Sequence, residues 1–366
     1  MMRTIFELTD PRDEVLSGEL SEDLFAARLK DVIDGNADPV YQDATRFFAN
    51  TYPTAGLRTL LREVLGRLTG SQPANNPIIR LETSFGGGKT HNLIALYHAL
   101  RGALPRSALT AYLEPDWVVP APGDVDIVGV VGSDLDPANG VYHETDDIRT
   151  YTLWGELAYQ LGGRKGYLKH AEKSDVERAA PGTGLFEQII GDRPTLIMID
   201  EIARHLRAAA AVETASRQSD LASQTVAFLM SLMEYAASQT RVVLVLTLAG
   251  QDDAFSAETA TLRETLRVSA RQERVLTPSA ENEISAIVVH RLFKRVDHDA
   301  VQQIVDRYGA YYQEVRAQNA PIHDRALRAD YLQEVATAYP FHPELIRVLN
   351  LKVATIPNFQ RTRGAL

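Results

Sequence analysis

The sequence predicts an α/β fold in which a parallel sheet is sandwiched by helices, with a helical region before it and a helical lid after it. Three observations predict this. From Asn76 onward, short apolar runs alternate with helical patterns, the texture of a sheet covered on both faces. One run, Pro77 to Leu81, leads into Gly86-Gly87-Gly88-Lys89-Thr90 and then into a helical pattern. Another, Thr195-Leu196-Ile197-Met198-Ile199, ends on two carboxylates, Asp200 and Glu201.

The elements follow in order. Residues 1–72 read as an N-terminal helical region: Leu24, Phe25, Leu29, Val32 and Ile33 recur at helical spacing before Gly35-Asn36, and Tyr41–Phe48 and Gly56–Leu68 continue the pattern. Residues 73–278 read as the α/β nucleotide-binding domain. Its strands are expected near Ile78–Glu82, Asp126–Val131, Leu196–Asp200, Val242–Thr247 and Arg274–Leu276. Helices are expected at Lys89–Leu100, Tyr151–Leu161, Leu221–Ala237 and Ala257–Val268. The span from Gly132 to Thr183 is a long excursion whose acids, Asp134, Asp136, Glu144, Asp146 and Asp147, suit a solvated loop better than a metal site. Beyond Pro278 no strand pattern returns. Residues 279–366 read as a helical lid, built from Glu281–Phe293, Ala300–Arg316 and Ala326–Ala336, a break at Tyr339–Pro343 and a short helix after it. The last segment, Phe359–Leu366, looks like the first turns of an uncapped helix, so a truncated chain is expected.

Bulk properties narrow the class. A chain of 366 residues can hold two or three cooperative units, and 45% hydrophobic with 23% charged residues is ordinary for a globular protein. The net charge of −10 argues against coating nucleic acid or an anionic membrane by bulk electrostatics. The absence of cysteine excludes disulfides and thiolate metal sites, and fits a reducing compartment. Met1–Val15 lacks a signal-peptide core, and the longest apolar stretch, Val242–Ala249, is too short to span a bilayer. A cytoplasmic location without membrane association is expected.

The chemistry-bearing residues lie at the ends of the predicted strands. Ser84, Phe85, Gly86, Gly87, Gly88, Lys89, Thr90 and His91 form a phosphate loop opening a helix. Glycines let backbone N–H groups curl around an anion, and the helix N-terminus adds partial positive charge. Lys89 suits the outer phosphates and Thr90 suits Mg²⁺. The general pattern begins with a glycine five positions before Gly88, and Thr83 stands there instead. Asp200 suits Mg²⁺, directly or through water, and Glu201 suits activating the water that attacks the γ-phosphate; either acid could instead cap the following helix. The apolar run Arg241–Leu246 ends on Thr247, placed beside the acid-bearing strand to reach that water or to be satisfied by backbone. Gln251, Asp252 and Asp253 compete for the same role. Arg267, Arg271 and Arg274 precede or open the last strand, where an arginine can reach a neighbouring subunit's nucleotide. Arg361 and Arg363 could fold back from the lid, with Arg363 preferred. The histidines show no metal spacing, and no hydrolase triad is present.

Together these features resemble an AAA+ ATPase. The wording of Phe47–Thr54, Glu82–His91, Trp154-Gly155-Glu156-Leu157-Ala158, Tyr339–Pro343 and Phe359–Gly364 resembles, more narrowly, domain-of-unknown-function family 499. These are large prokaryotic ATPases similar to the P-loop proteins of BREX-type phage-defence systems and often encoded beside DNA methyltransferases. The resemblance implies Lys89 and Thr90 as Walker A, Asp200 and Glu201 as Walker B, and Thr247 as the sensor on the fourth strand. It agrees with Thr83 in the loop. It implies a Mg²⁺-dependent ATPase, as a homo-oligomer whose arginines act in trans, coupling hydrolysis to conformational change in a nucleic-acid-related or defence complex that can include a methyltransferase. Two alternatives stand beside it: an ATP-gated switch or scaffold with little hydrolysis, and a DNA translocase.

Overall fold

A computed structural model describes residues 4–18, 27–83, 88–101, 104–216, 218–249, 262–263, 273–280 and 283–351. They fall into two compact units. One holds the described residues within 27–48 and 55–278, the other those within 1–26, 49–54 and 279–366.

The larger unit is built on five parallel strands: β1 (Ile78–Thr83), β2 (Asp126–Val131), β3 (Thr195–Asp200), β4 (Val242–Ala249) and β5 (Glu273–Leu276). They lie in the order β2-β3-β4-β1-β5. Side chains alternate between the faces. Ile79, Leu81, Leu196, Met198, Val243 and Val245 pack with helices α1 (Ala55–Leu68) and α2 (Lys89–Leu100). Ile78, Val128, Val130, Ile197, Ile199, Leu244 and Leu246 pack on the opposite side with α3 (Leu153–His170), α4 (Ile202–Ala209) and α5 (Leu221–Ser238). Burial on both faces is why β3 and β4 read as unbroken apolar runs. The lower ends of β4 and α5 are tied by buried Arg67 of α1, whose guanidinium donates to the carbonyls of Val242 (3.0 Å), Asn75 (2.7 Å) and Gln239.

The excursion after β2 is more ordered than a solvated loop. It contains an antiparallel hairpin, Val141–His143 with Ile148–Thr150, and α3 runs past the expected Leu161 to His170, with Gly163 non-helical inside it. A buried carboxylate anchors its start. Asp175 accepts from Thr152 Oγ1 (2.5 Å), Tyr167 Oη (2.7 Å) and the Tyr151 amide, and a Cβ on Gly155 would sit 2.1 Å from its Oδ1. Only glycine lets the first turn of α3 approach that acid.

The smaller unit corrects two expectations. A strand does occur after Pro278: Phe293–Val296 pairs antiparallel with Thr9–Pro11, in the register Thr9↔Val296. Each strand is too short for its alternation to stand out between helical neighbours, and the partners are far apart in sequence. The first 72 residues are also not one helical region. Residues 4–18 join the C-terminal helices, whereas Leu29–Asp34 and α1 build the core of the sheet unit. Helices Ile284–Leu292, His298–Ala317, Ala329–Ala338 and Pro343–Leu351 complete the smaller unit, around Val301, Val305, Tyr331 and Val335. Among the described residues no helix is long and apolar enough to cross a membrane.

Candidate functional site

Connectivity places a topological switch point at the carboxyl ends of the strands. From β1 the chain leaves through α2 on one face and reaches β2 at the far edge of the sheet. From β2 it returns through β3 to β4 by α3, α4 and α5, all on the other face. The connections after β1 and β3 therefore diverge, and such a switch point is where open α/β sheets bind their ligands. β4 fills the gap between them. Its register, Ile199↔Leu246 with β3 and Leu81↔Thr247 with β1, sets Thr247 level with Asp200.

Three elements meet on one carboxylate. Asp200 is 2% exposed. Thr90 Oγ1, at the start of α2, donates to its Oδ2 at 2.7 Å, and Thr247 Oγ1 donates to its Oδ1. The Thr247 hydroxyl also accepts the Glu201 amide at 3.0 Å. The expected backbone satisfaction of Thr247 and its placement beside the acids thus occur together. Burial raises the Asp200 carboxyl above its ordinary range; the two threonine hydroxyls and the Lys89 ammonium pull it down, while the charge of Glu201 adds to the rise.

Glu201 has a left-handed backbone, φ 51° and ψ 34°, unusual for a residue with a side chain. It precedes the first turn of α4, yet its side chain makes no capping hydrogen bond. The carboxylate is partly exposed and lies 3.1 Å from Arg204 one turn on. Its backbone is held closely: the amide by Thr247, and the carbonyl by the end of β2, where Gly132 comes so near that a Cβ would stand 2.4 Å from the Glu201 oxygen.

The other predicted site residues are placed as follows. Gly88 caps α2 with φ 81°, a left-handed conformation that glycine adopts freely. Lys89 and Thr90 form the first turn of α2. The His91 ring turns to the aromatic residues beneath the helix, 4.5 Å from Phe47 and 6.3 Å from Tyr41 between centroids. Arg274 shares the face of α1 and its guanidinium pairs with Glu63. Ser84, Phe85, Gly86, Gly87, Gln251, Asp252, Asp253, Arg267, Arg271, Arg361 and Arg363 lie outside the described residues, as does the expected helix Ala257–Val268 apart from Leu262 and Arg263, which are helical.

Sequence reasoning missed four features. Gly132 and Asn92 border the site. An ionic network lies below it on the opposite face of β1: Glu82 meets Arg80 (3.1 Å) and Arg263 (2.7 Å), and Arg80 meets Glu273 (2.9 Å). The fourth is His205 on α4, 1% exposed. Burial pushes its imidazole down to about 4, against a weaker pull from the Leu135 carbonyl, which lies near but outside hydrogen-bond geometry. The unfolded imidazole takes up a proton below about pH 6.5 whereas the native one resists until about 4, so stability falls with acidification across that window. Lowering the pH from 7 to 4.5 is expected to cost on the order of 2–3 kcal/mol through this group alone. Urea midpoints at the two pH values check it: the drop in wild type shrinks by that amount in His205→Leu.

Among the described residues no group of three or more histidine, aspartate or glutamate side chains is placed to hold a metal ion. What the site offers is one buried carboxylate in contact with two threonine hydroxyls, those of Thr90 and Thr247. That donor set fits Mg²⁺, which keeps most of its waters and takes one or two protein oxygens besides substrate phosphates.

Fold and site define the class: an α/β protein whose five-stranded parallel sheet, flanked by helices, gathers hydroxyls and carboxylates at its carboxyl edge. The sequence matches the DUF499 N-terminal domain over residues 5–274 and the DUF499 second domain over residues 279–366. The chain belongs to the DUF499 family. Among curated proteins none matches it.

Proposed function

We propose that this protein is an AAA+-like P-loop ATPase. One observation carries the reading: Thr90, Asp200, Thr247 and the Glu201 amide form a continuous hydrogen-bonded chain across the ends of β1, β3 and β4. The glycine run before Lys89 and the start of α2 supply backbone donors for phosphates, and Lys89 adds a charge for the outer ones. Thr90 and Asp200 would hold Mg²⁺, which when bound neutralises phosphate charge. Glu201 accepts the proton of the attacking water, and Thr247 fixes the peptide from which Glu201 reaches out. Arg274 already pairs with Glu63, which leaves Arg267 and Arg271, just before it in the sequence, as candidates for a charge supplied to a neighbouring subunit. In this reading the protein works in the cytoplasm as a homo-oligomer, related to BREX-type defence ATPases, and spends ATP on rearranging a nucleic-acid-related complex.

Two measurements on the full chain test this. Phosphate release is expected to saturate with ATP and to require Mg²⁺. Lys89→Ala is expected to weaken ATP binding about 30-fold, as for loss of a charge-assisted contact. Equal affinity in both proteins overturns the assignment. A switch with slow turnover is the second reading, favoured by the Glu201 carboxylate lying against Arg204. Tight ATP binding with negligible phosphate release selects it.

A further inference from the structure

Asn92 lies in the first turns of α2, 5% exposed, in a helix interior where an apolar residue would be expected. Its Nδ2 donates to the Gly88 carbonyl at 2.8 Å, and that carbonyl already accepts the Asn92 backbone N–H at 3.0 Å. Its Oδ1 is buried and has no hydrogen-bond partner among the described residues. For folding alone this is a poor choice. The Gly88 oxygen is satisfied by the helix without the side chain, and an orphaned buried oxygen costs stability that a leucine, with the same branching and no polar atom, would not.

The second bond does have one geometric consequence. Gly88 is the left-handed cap whose following peptide opens α2, and glycine places no steric limit on the rotation of that peptide. Two donors on one carbonyl remove the freedom. In a trans peptide the C=O and the next N–H point in opposite directions. Holding the Gly88 oxygen down into the helix therefore aims the Lys89 N–H out of the helix start, the direction in which helix N-termini meet anions.

We infer that Asn92 is a positioning residue: it locks the Gly88–Lys89 peptide so that the Lys89 amide is aimed at a nucleotide's phosphates before the nucleotide arrives. The inference rests on the phosphate-binding reading of the site and extends it to a residue that never touches the ligand. A donor fixed in advance loses no orientational freedom on binding, so the benefit falls on affinity while the cost falls on the stability of the free protein.

The test uses the full chain with Asn92→Leu and Asn92→Ala, the latter keeping a strong helix former should the former fail to fold. ATP affinity is measured by titration calorimetry and Tm without nucleotide by thermal melting, with Lys89→Ala alongside. Both Asn92 variants are expected to bind ATP about tenfold more weakly, the effect of one misaligned hydrogen bond. Tm of Asn92→Leu is expected to equal or exceed that of wild type. ATP affinity within twofold of wild type in both variants, while Lys89→Ala binds about 30-fold more weakly, overturns the inference and spares the phosphate reading. Affinity lost only in step with a falling Tm overturns it as well, since a merely structural role behaves that way. Full binding by Lys89→Ala removes the phosphate reading, and the inference with it.

Discussion

Asp200→Asn is expected to raise the melting temperature of the nucleotide-free protein and, on the proposed ATPase reading, to lower ATP turnover about 10³-fold. The two effects share one cause. Asp200 is 2% exposed, and burial disfavours its charged form. Its two oxygens accept from Thr90 and Thr247. An asparagine keeps that geometry: its oxygen accepts from one threonine and its amide donates to the other hydroxyl oxygen. The network survives and the desolvated charge is gone, for a gain of about 1 kcal/mol, or roughly 2–4 °C. On the proposed ATPase reading turnover would be lost because a neutral amide is a poor partner for Mg²⁺, whose stabilisation of transition-state charge would be worth several kcal/mol. The sign with pH follows from the raised native pKa. The charge weighs against folding at neutral pH and vanishes on acidification, so the advantage of the variant shrinks toward pH 4. Melts across pH and phosphate-release assays check both halves. A lower Tm at neutral pH would mean that the carboxylate stabilises the free protein.

The sheet was legible because buried parallel strands are written as continuous apolar runs. The expected Asp126–Val131 matches β2, and the expected Val242–Thr247 falls short of β4 by two residues. Polar residues closing such runs stand out for the same reason, so Asp200, Glu201 and Thr247 could be singled out by position alone. Their convergence needed the strand order, which places β4 between the strands carrying the loop and the acids. Features decided by distant approach left no local mark. Gly132 looks like any glycine after a strand until β3 is seen beside it. Asn92 and His205 look like solvent residues of amphipathic helices until both faces of α2 and the inner face of α4 are seen covered. The Thr9–Pro11 and Phe293–Val296 pair was lost to its shortness and to the sequence between its halves.

Gly132→Ala is the second large effect, and on the proposed ATPase reading it acts on turnover through the backbone of Glu201. The new Cβ would stand 2.4 Å from the Glu201 carbonyl oxygen, 2.9 Å from its carbonyl carbon and 3.0 Å from the Ile202 Cα. All three are backbone atoms, so no rotamer change relieves the contact and a peptide must move. Glu201 is the element with least slack. Its amide is held by Thr247 and its left-handed conformation is already unfavourable, so displacement of its carbonyl is transmitted to the direction of its carboxylate. Lys89 and Thr90 sit on a different element, α2, packed from the opposite face, and are left in place. ATP affinity is therefore expected to stay within about threefold of wild type while kcat falls about 10³-fold, the middle of the range for displacing a general base, the role proposed for Glu201. Glu201→Gln should give the same division between binding and turnover. If Gly132→Ala turns over normally while Glu201→Gln does not, then the end of β2 yields to the methyl group, and the position of Glu201 is set by Thr247 and the strain in its own backbone.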